Sequence, residues 1–406
     1  MPKRDSKRKP NKDKKMQMQL SSRINKLSES LTIAITFLAK KMKDEGKDVL
    51  SFSAGEPDFD TPEVIKKEAV KAIEEGFTKY TPVAGIPELL EAIKNKLERD
   101  NDLQYETSQI IVSNGAKQSL FNLTQALLDE GDEVIIPSPY WVTYPEIVKY
   151  ANATPVFIET SDESGFKITP KQLQEAITPK TKMLILTSPS NPTGAIYTKE
   201  ELTALGEVLK GTDIVVASDE MYEKLVYDEK FCATASISED MFQRTVTING
   251  LSKSVAMTGW RFGYLAAANE ELIAAMKKLQ SQSTSNINSI TQKAAIAGLD
   301  GRADEDIEKM RQEFKKRRDL AVELFNSSDK LSVIKPAGAF YLFVNIKKVT
   351  NDSMAFCKKL LETKGVATVP GVGFGSEGYF RFSFATDEES IKEGIKRIKE
   401  FIEEYN

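Results

Sequence analysis

The sequence contains no histidine. That absence removes the Ser-His-Asp triad, the Cys-His pair and histidine-ligated zinc. Acid and base chemistry near neutral pH must then come from a lysine, a tyrosine, a carboxylate or a bound cofactor. Cysteine is nearly as scarce, for Cys232 and Cys357 are too few for a disulfide framework and lack the spacing of a metal site. No apolar run approaches the roughly 20 residues that cross a bilayer, and the N-terminal residues lack the apolar centre of a signal peptide. A cytoplasmic protein with no membrane partner is the expectation. Net charge is −4, from 56 basic and 60 acidic residues, so no general excess of positive charge favours nucleic acid.

What is present is a chain of 406 residues, 40% of them hydrophobic, long enough for one large domain and a smaller one. The first residues, "MPKRDSKRKPNKDKK", carry eight basic side chains against two acidic ones and read as a disordered, solvated tail over 1–20. A helical pattern follows from about Ser28 to Glu45, then a helix opened by Pro62 and closed by Gly76. From about Ser108 onward strand, loop and helix alternate, as in "QIIVSNGAKQSLFNLTQALLDEG" and "KMLILTSPSNPTG" before "KEELTALGEVLKG". The alternation predicts an α/β fold with a mostly parallel sheet flanked by helices. After about Glu305 the pattern becomes a charged helix, the strand-like "AFYLFVNI", a helix near 353–364, the strand-like "GYFRFSFA" and a terminal helix. These divide the chain into an N-terminal segment 21–60 packing with the smaller domain, a large domain 61–300 and a small α+β domain 301–406.

Ligands of open parallel sheets bind beyond the carboxyl ends of the strands. The polar residues expected there are Asn114 and Gly115, Ser188 and Asn191, Asp219 and Tyr222, and Ser252 and Lys253. Any one of them alone is ordinary turn chemistry. Four successive strand ends, one with a lysine and one with a carboxylate, are not. Lys253 stands in "TVTINGLSKSVAMTGWRFGYLA", between two runs that look buried, whereas most lysines lie in water. "SNGAKQSL" offers backbone N–H groups at a helix N-terminus, which suits a phosphate, and Ser252 and Arg261 could add donors to it. Asp219 ends the apolar "IVVAS", where a carboxylate needs a cation or strong donors. A lysine nucleophile, a phosphate cradle, a buried aspartate and the aromatic Trp141 are together what pyridoxal 5'-phosphate requires. That cofactor would also explain chemistry without histidine.

Eight motifs occur in one family's order: "SAGEPDFDTP", "YTPVAGIPELLEAI", "SNGAKQSL", "SPYWVTYPE", "SPSNPTG", "SDEMYEKLVY", "LSKSVAMTGWRFGYL" and "FRFSFA". From about Ser21 to the C-terminus the chain resembles the fold-type I, class I pyridoxal-phosphate aminotransferases, in particular the bacterial aspartate and aspartate/prephenate subgroup. The resemblance implies that Lys253 forms the Schiff base and shuttles the proton. It implies that Asp219 pairs with the pyridine nitrogen, Tyr222 and Asn191 reach the phenolic oxygen, and Trp141 stacks on the ring. Gly115, Ala116, Lys117, Ser252 and Arg261 would surround the phosphate, with Tyr80 arriving from a second subunit to complete a homodimer with shared sites. Arg381 would clamp the substrate α-carboxylate, helped by Asn191, Trp141 and the backbone at Gly55.

One departure bears on specificity. Many family members read the substrate's distal carboxylate with an arginine of the partner subunit, yet "SQSTSNINSITQ" has none. In the subgroup resembled, Lys117 takes that place, here with Thr32. The implied activity is ping-pong transfer of the amino group of L-aspartate or L-glutamate to 2-oxoglutarate or another keto acid. A prephenate, aromatic or kynurenine aminotransferase, a carbon-sulfur lyase, and a non-enzymatic binding protein on the same fold remain the rival readings.

Overall fold

The computed structural model describes residues 18–405, so most of the basic tail read over 1–20 lies outside the described residues. Twelve strands occur among them: β1 Leu50–Ser51, β2 Ile110–Asn114, β3 Glu133–Ser138, β4 Thr154–Glu159, β5 Thr181–Thr187, β6 Val215–Asp219, β7 Thr245–Gly250, β8 Phe262–Ala267, β9 Tyr341–Asn345, β10 Val366–Ala367, β11 Val369–Pro370 and β12 Tyr379–Ser383. Seven form one sheet in the order β2-β8-β7-β6-β5-β3-β4. Only β8 runs against the others, which makes the sheet mostly parallel.

The apolar runs of these strands follow from burial on both faces. Successive side chains of a strand point to opposite faces, and they join different cores. Val134 and Ile136 of β3 enter one apolar cluster while Ile135 enters another. Leu184 and Leu186 of β5 likewise part from Met183 and Ile185. On β2, Ile111 and its neighbours Ile110 and Val112 divide in the same way. Helices between the strands supply the covering layers, among them Ala116–Leu127, Thr143–Tyr150 and Lys199–Leu209. The last of these starts in a capping box, with the Thr198 hydroxyl accepting from the Glu201 amide and the Glu201 carboxylate accepting from the Thr198 amide.

β9, β11 and β12 make an antiparallel sheet in the order β11-β12-β9, flanked by the helices Asp304–Asn326, Ser353–Lys364 and Glu388–Glu404. β1 pairs in parallel with β10, and the Ser383 amide donates to the Phe52 carbonyl. The segment around residue 50 is thereby sewn to the C-terminal strands, with the Phe52 and Phe382 rings stacked at 4.1 Å. The expected helix from Ser28 to Glu45 runs over Leu31–Asp44, and the Pro62 helix over Glu63–Glu74.

The turn after β6 is held from behind. Glu223 is buried, forms an ion pair with Lys96, and accepts from the Asn101 amide at 2.7 Å. A buried charge of this kind persists only when its partners are in place, so the helix Pro87–Asn101 fixes the segment that carries Asp219 and Tyr222. No helix of the described residues is long and apolar enough to cross a membrane, and none of their Cys, Asp and Glu side chains cluster as a metal site.

Candidate active site

A cavity of about 570 Å³ opens beyond the carboxyl ends of the parallel strands, a size usual for a small-molecule site. Ala116, Trp141, Asn191, Asp219, Tyr222 and Ser252 are among the residues that line it, as are Lys253, Arg261, Arg381, Lys117, Gly55 and Thr32. Gly115 lies just behind, at the start of the helix Ala116–Leu127. Tyr80 is apart from this group: within its own chain it does not line the cavity and is 91% exposed.

Asp219 ends β6 and is 5% exposed. Its Oδ2 accepts from the Tyr144 hydroxyl at 2.7 Å and its Oδ1 from the Met221 amide at 3.3 Å. Burial is the largest influence on the carboxyl and raises its proton affinity, against those two donors and the Lys253 charge. The partners it does have are neutral groups, so the cation expected beside it from the sequence is not supplied by a protein hydrogen bond.

Lys253 follows β7, and its amine donates to the Gly55 carbonyl. Burial, and then the neighbouring Arg381 charge, bring its pKa down to about 8, with Glu56 and Asp219 pulling the other way and Arg261 adding to the lowering. A lysine at 8 is neutral in roughly one molecule in ten at pH 7, against fewer than one in a thousand for an ordinary lysine. The neutral amine is the nucleophile. Capture of an aldehyde by the cofactor-free protein is therefore expected to speed up about tenfold per pH unit below pH 8 and level off above it. Stopped-flow absorbance against pH checks this, and a rate still climbing toward pH 10 would show an unperturbed lysine.

The phosphate-sized corner is built by backbone geometry. Gly115 has φ +80°, and a Cβ there would lie 2.6 Å from Nη2 of Arg261. Glycine thus lets the guanidinium approach the helix N-terminus. Arg261 itself holds a left-handed φ of +59°, fixed by donation from Nη1 to the Thr258 carbonyl at 2.7 Å and from Nη2 to the Asn114 carbonyl at 3.3 Å. Lys117, over the Trp141 ring at 4.9 Å, has its proton affinity lowered by burial and by Arg261. Cations crowd here around a helix N-terminus, which is how an anion site is made.

Arg381, on β12, is 2% exposed. Its Nη1 donates to Asn191 Oδ1 at 2.9 Å and its Nη2 to the Ser53 carbonyl at 2.8 Å, while Nε has no partner among the described residues. The main-chain support thus comes from Ser53, whereas the Gly55 carbonyl receives Lys253. A buried guanidinium facing a cavity with neutral partners suits a carboxylate. The residues also fit pyridoxal phosphate: a buried carboxylate without a paired cation, an amine of lowered basicity, an anion corner and the half-buried Trp141 surround one space.

Known proteins decide the family. The sequence pattern described as "Aminotransferase class I and II" matches residues 47–398. The chain belongs to that aminotransferase family. It is 49% identical to the aspartate aminotransferase of Bacillus subtilis (strain 168), over 96% of this chain and all of the relative. It is 46% identical to the aspartate/prephenate aminotransferase of Nitrosomonas europaea, over 94% of this chain and 99% of the relative. Among solved structures, the aspartate aminotransferase from Rhizobium meliloti superposes with a TM-score of 0.92 at 43% identity, covering 96% of this chain and all of that one. The aspartate aminotransferase from Thermus thermophilus with maleate gives 0.91 at 41%, covering 95% and 100%. The α/β fold expected from the sequence is thus the fold of this family, and pyridoxal 5'-phosphate is the aminotransferase's cofactor.

Among the residues of the site that escaped the sequence reading are Tyr144, Tyr341 and Ser53. Tyr144 stands in the quoted "SPYWVTYPE" and Tyr341 in "AFYLFVNI", but each reads as a core aromatic. Ser53 acts through its carbonyl, which no side-chain pattern reveals.

Proposed function

We propose that this aminotransferase moves the amino group of L-aspartate to a keto acid in two half-reactions, with prephenate among the acceptors. Support comes from the relatives named for aspartate and prephenate, and from a cavity lined by both the buried Arg381 guanidinium and Lys117. Relatives 46 to 49% identical over nearly the whole chain are named aspartate or aspartate/prephenate aminotransferases, which disfavours the carbon-sulfur lyase and the binding protein.

When bound, pyridoxal phosphate supplies an aldehyde that accepts the amino group and an electron-withdrawing ring. Asp219 would hold the ring nitrogen's proton, and Tyr222 and Asn191 would address the phenolic oxygen. Trp141 packs on the ring face. The N–H groups of Ala116 and Lys117, with Gly115, Ser252 and Arg261, receive the phosphate, joined by Tyr80 of the partner subunit in a homodimer. Arg381 receives the substrate α-carboxylate in bidentate fashion, with Gly55 and Asn191 beside it. Lys253, as a free amine, would take and hold the proton of the amino acid Cα. Lys117, with Thr32, binds the distal carboxylate as a point charge less demanding than a planar guanidinium. The segment 21–60 and residues 301–406 act together as a smaller domain against 61–300.

The carrying observation is the pairing of a buried Asp219, hydrogen-bonded by neutral groups, with an amine lowered to about 8 in one cavity. Its test is absorbance of the cofactor-loaded protein: the visible band is expected to bleach with L-aspartate and return with prephenate or 2-oxoglutarate. In Lys117→Ala the bleaching should need roughly 10- to 100-fold more aspartate, the worth of one charge-assisted hydrogen bond, with alanine unaffected. Equal losses for both amino acids would move Lys117 out of substrate recognition, and no bleaching by any amino acid would end the proposal.

A further inference from the structure

Tyr341 is fully buried on β9, yet it belongs to the cavity wall. Phe340, just before β9, and Phe343, within it, are buried apolar side chains without a hydroxyl. A buried hydroxyl is costly unless it is hydrogen-bonded, so the choice of tyrosine calls for a partner. That partner is the Tyr222 hydroxyl, 2.8 Å away, with the two rings edge to face at 5.8 Å. Phe340 packs on the Tyr341 ring at 4.7 Å, and the Arg381 guanidinium lies over it at 4.4 Å. Gly55 leaves room for the hydroxyl, since a Cβ there would stand 3.2 Å from the Tyr341 oxygen. The ring is thus held on several sides, and its hydroxyl is aimed at a single phenol.

Each phenol has one proton to donate. Once Tyr222 gives its proton to the cofactor's phenolic oxygen, the Tyr222 oxygen can only accept, and Tyr341 stands where the donor must be. We propose that Tyr341 is a positioning residue that donates to Tyr222, turning the Tyr222 proton toward the cofactor's phenolic oxygen and strengthening that hydrogen bond. The inference rests on the role proposed above for Tyr222. Linked hydrogen bonds polarise one another, so the effect passes through the phenol without Tyr341 touching the cofactor. The charged groups facing the pair are Arg381 and Asp219, with Glu56 acting on Tyr341 from the cavity wall. Arg381, resting on the same ring, links the carboxylate clamp to the phenol pair.

The experiment is a pH titration of the visible absorption of the cofactor-loaded, substrate-free enzyme for wild type, Tyr222→Phe, Tyr341→Phe and the double variant. A donor to the phenolic oxygen stabilises its negative form, so losing the donor raises the pH at which the band changes. Tyr222→Phe should raise the midpoint by about one unit or more, and Tyr341→Phe by roughly 0.3 to 0.5 units, a fraction of one charge-assisted hydrogen bond. The double variant should match Tyr222→Phe alone. Should Tyr341→Phe load the cofactor poorly, Tyr341→Leu, which also lacks the hydroxyl, gives the same comparison. A midpoint that moves with Tyr222→Phe but not with loss of the Tyr341 hydroxyl overturns the inference alone. A shift from Tyr341→Phe that persists in the Tyr222→Phe background also overturns it, since the effect would then bypass Tyr222. No movement with either variant removes the Tyr222 role and the inference with it.

Discussion

Asp219→Ala is expected to lower kcat/KM for L-aspartate by roughly three to five orders of magnitude, about 4 to 7 kcal/mol of transition-state stabilisation, while the fold stays intact. The carboxylate is buried, and its hydrogen-bond partners are the neutral Tyr144 hydroxyl and Met221 amide. A cation about 4 Å from it is worth on the order of 4 kcal/mol at an effective dielectric near 20, and the cofactor's ring nitrogen is the group that needs such a counter-charge. The cofactor-free protein supplies an independent check through stability. A carboxyl whose proton affinity is raised on folding destabilises the folded state once pH exceeds its unfolded value near 3.8. Asp219→Asn keeps the shape and removes that charge, so its cofactor-free Tm at pH 7 should equal or exceed that of the wild type. A large fall in Tm would make Asp219 a structural residue, and near-native turnover in the alanine variant would end its catalytic role.

Lys253→Ala is expected to be as damaging, losing at least roughly 10⁴-fold in turnover, about 5.5 kcal/mol, because in the proposed role one amine both attaches the cofactor and moves the Cα proton. Borohydride reduction followed by mass measurement separates the two duties. Wild-type protein should retain the cofactor's mass after unfolding, and the variant should not, even where Asp219, Arg261 and Ser252 still bind the cofactor reversibly. Retained mass in Lys253→Ala would point to another lysine. Lys117 is the alternative in the same cavity, and its basicity is also lowered by burial.

Much of this site could be read from the sequence because polar residues at strand ends interrupt apolar runs. Asp219 after "VVAS" and Lys253 after "TVTINGLS" stand out against what precedes them. The alternating cores of the parallel sheet were legible for the same reason, since strands covered on both faces become continuous apolar runs. Tyr341 did not stand out, because within "AFYLFVN" a tyrosine has the periodicity and apolar bulk of its neighbours, and only the position of the Tyr222 oxygen distinguishes it. The support of Arg381 by Ser53 was hidden more deeply, since a carbonyl is common to every residue. Tyr80 shows the opposite case. Its motif assigns it to a site that its own chain does not bring it near.

The hydrogen bond from Arg381 to the Ser53 carbonyl joins residues 328 positions apart, and this gives the molecule an order of assembly in time. Synthesis runs from the N-terminus, and domains generally fold as they emerge. Asp219, Lys253 and Arg261 leave the ribosome well before Arg381 does. A nascent chain can therefore own the cofactor side of its cavity while the docking point proposed for an amino acid's α-carboxylate does not yet exist. On the role proposed for Arg381, competence to handle amino acids arrives last, with the strand that ends at Ser383, and a chain interrupted before that strand is expected to be inert toward them.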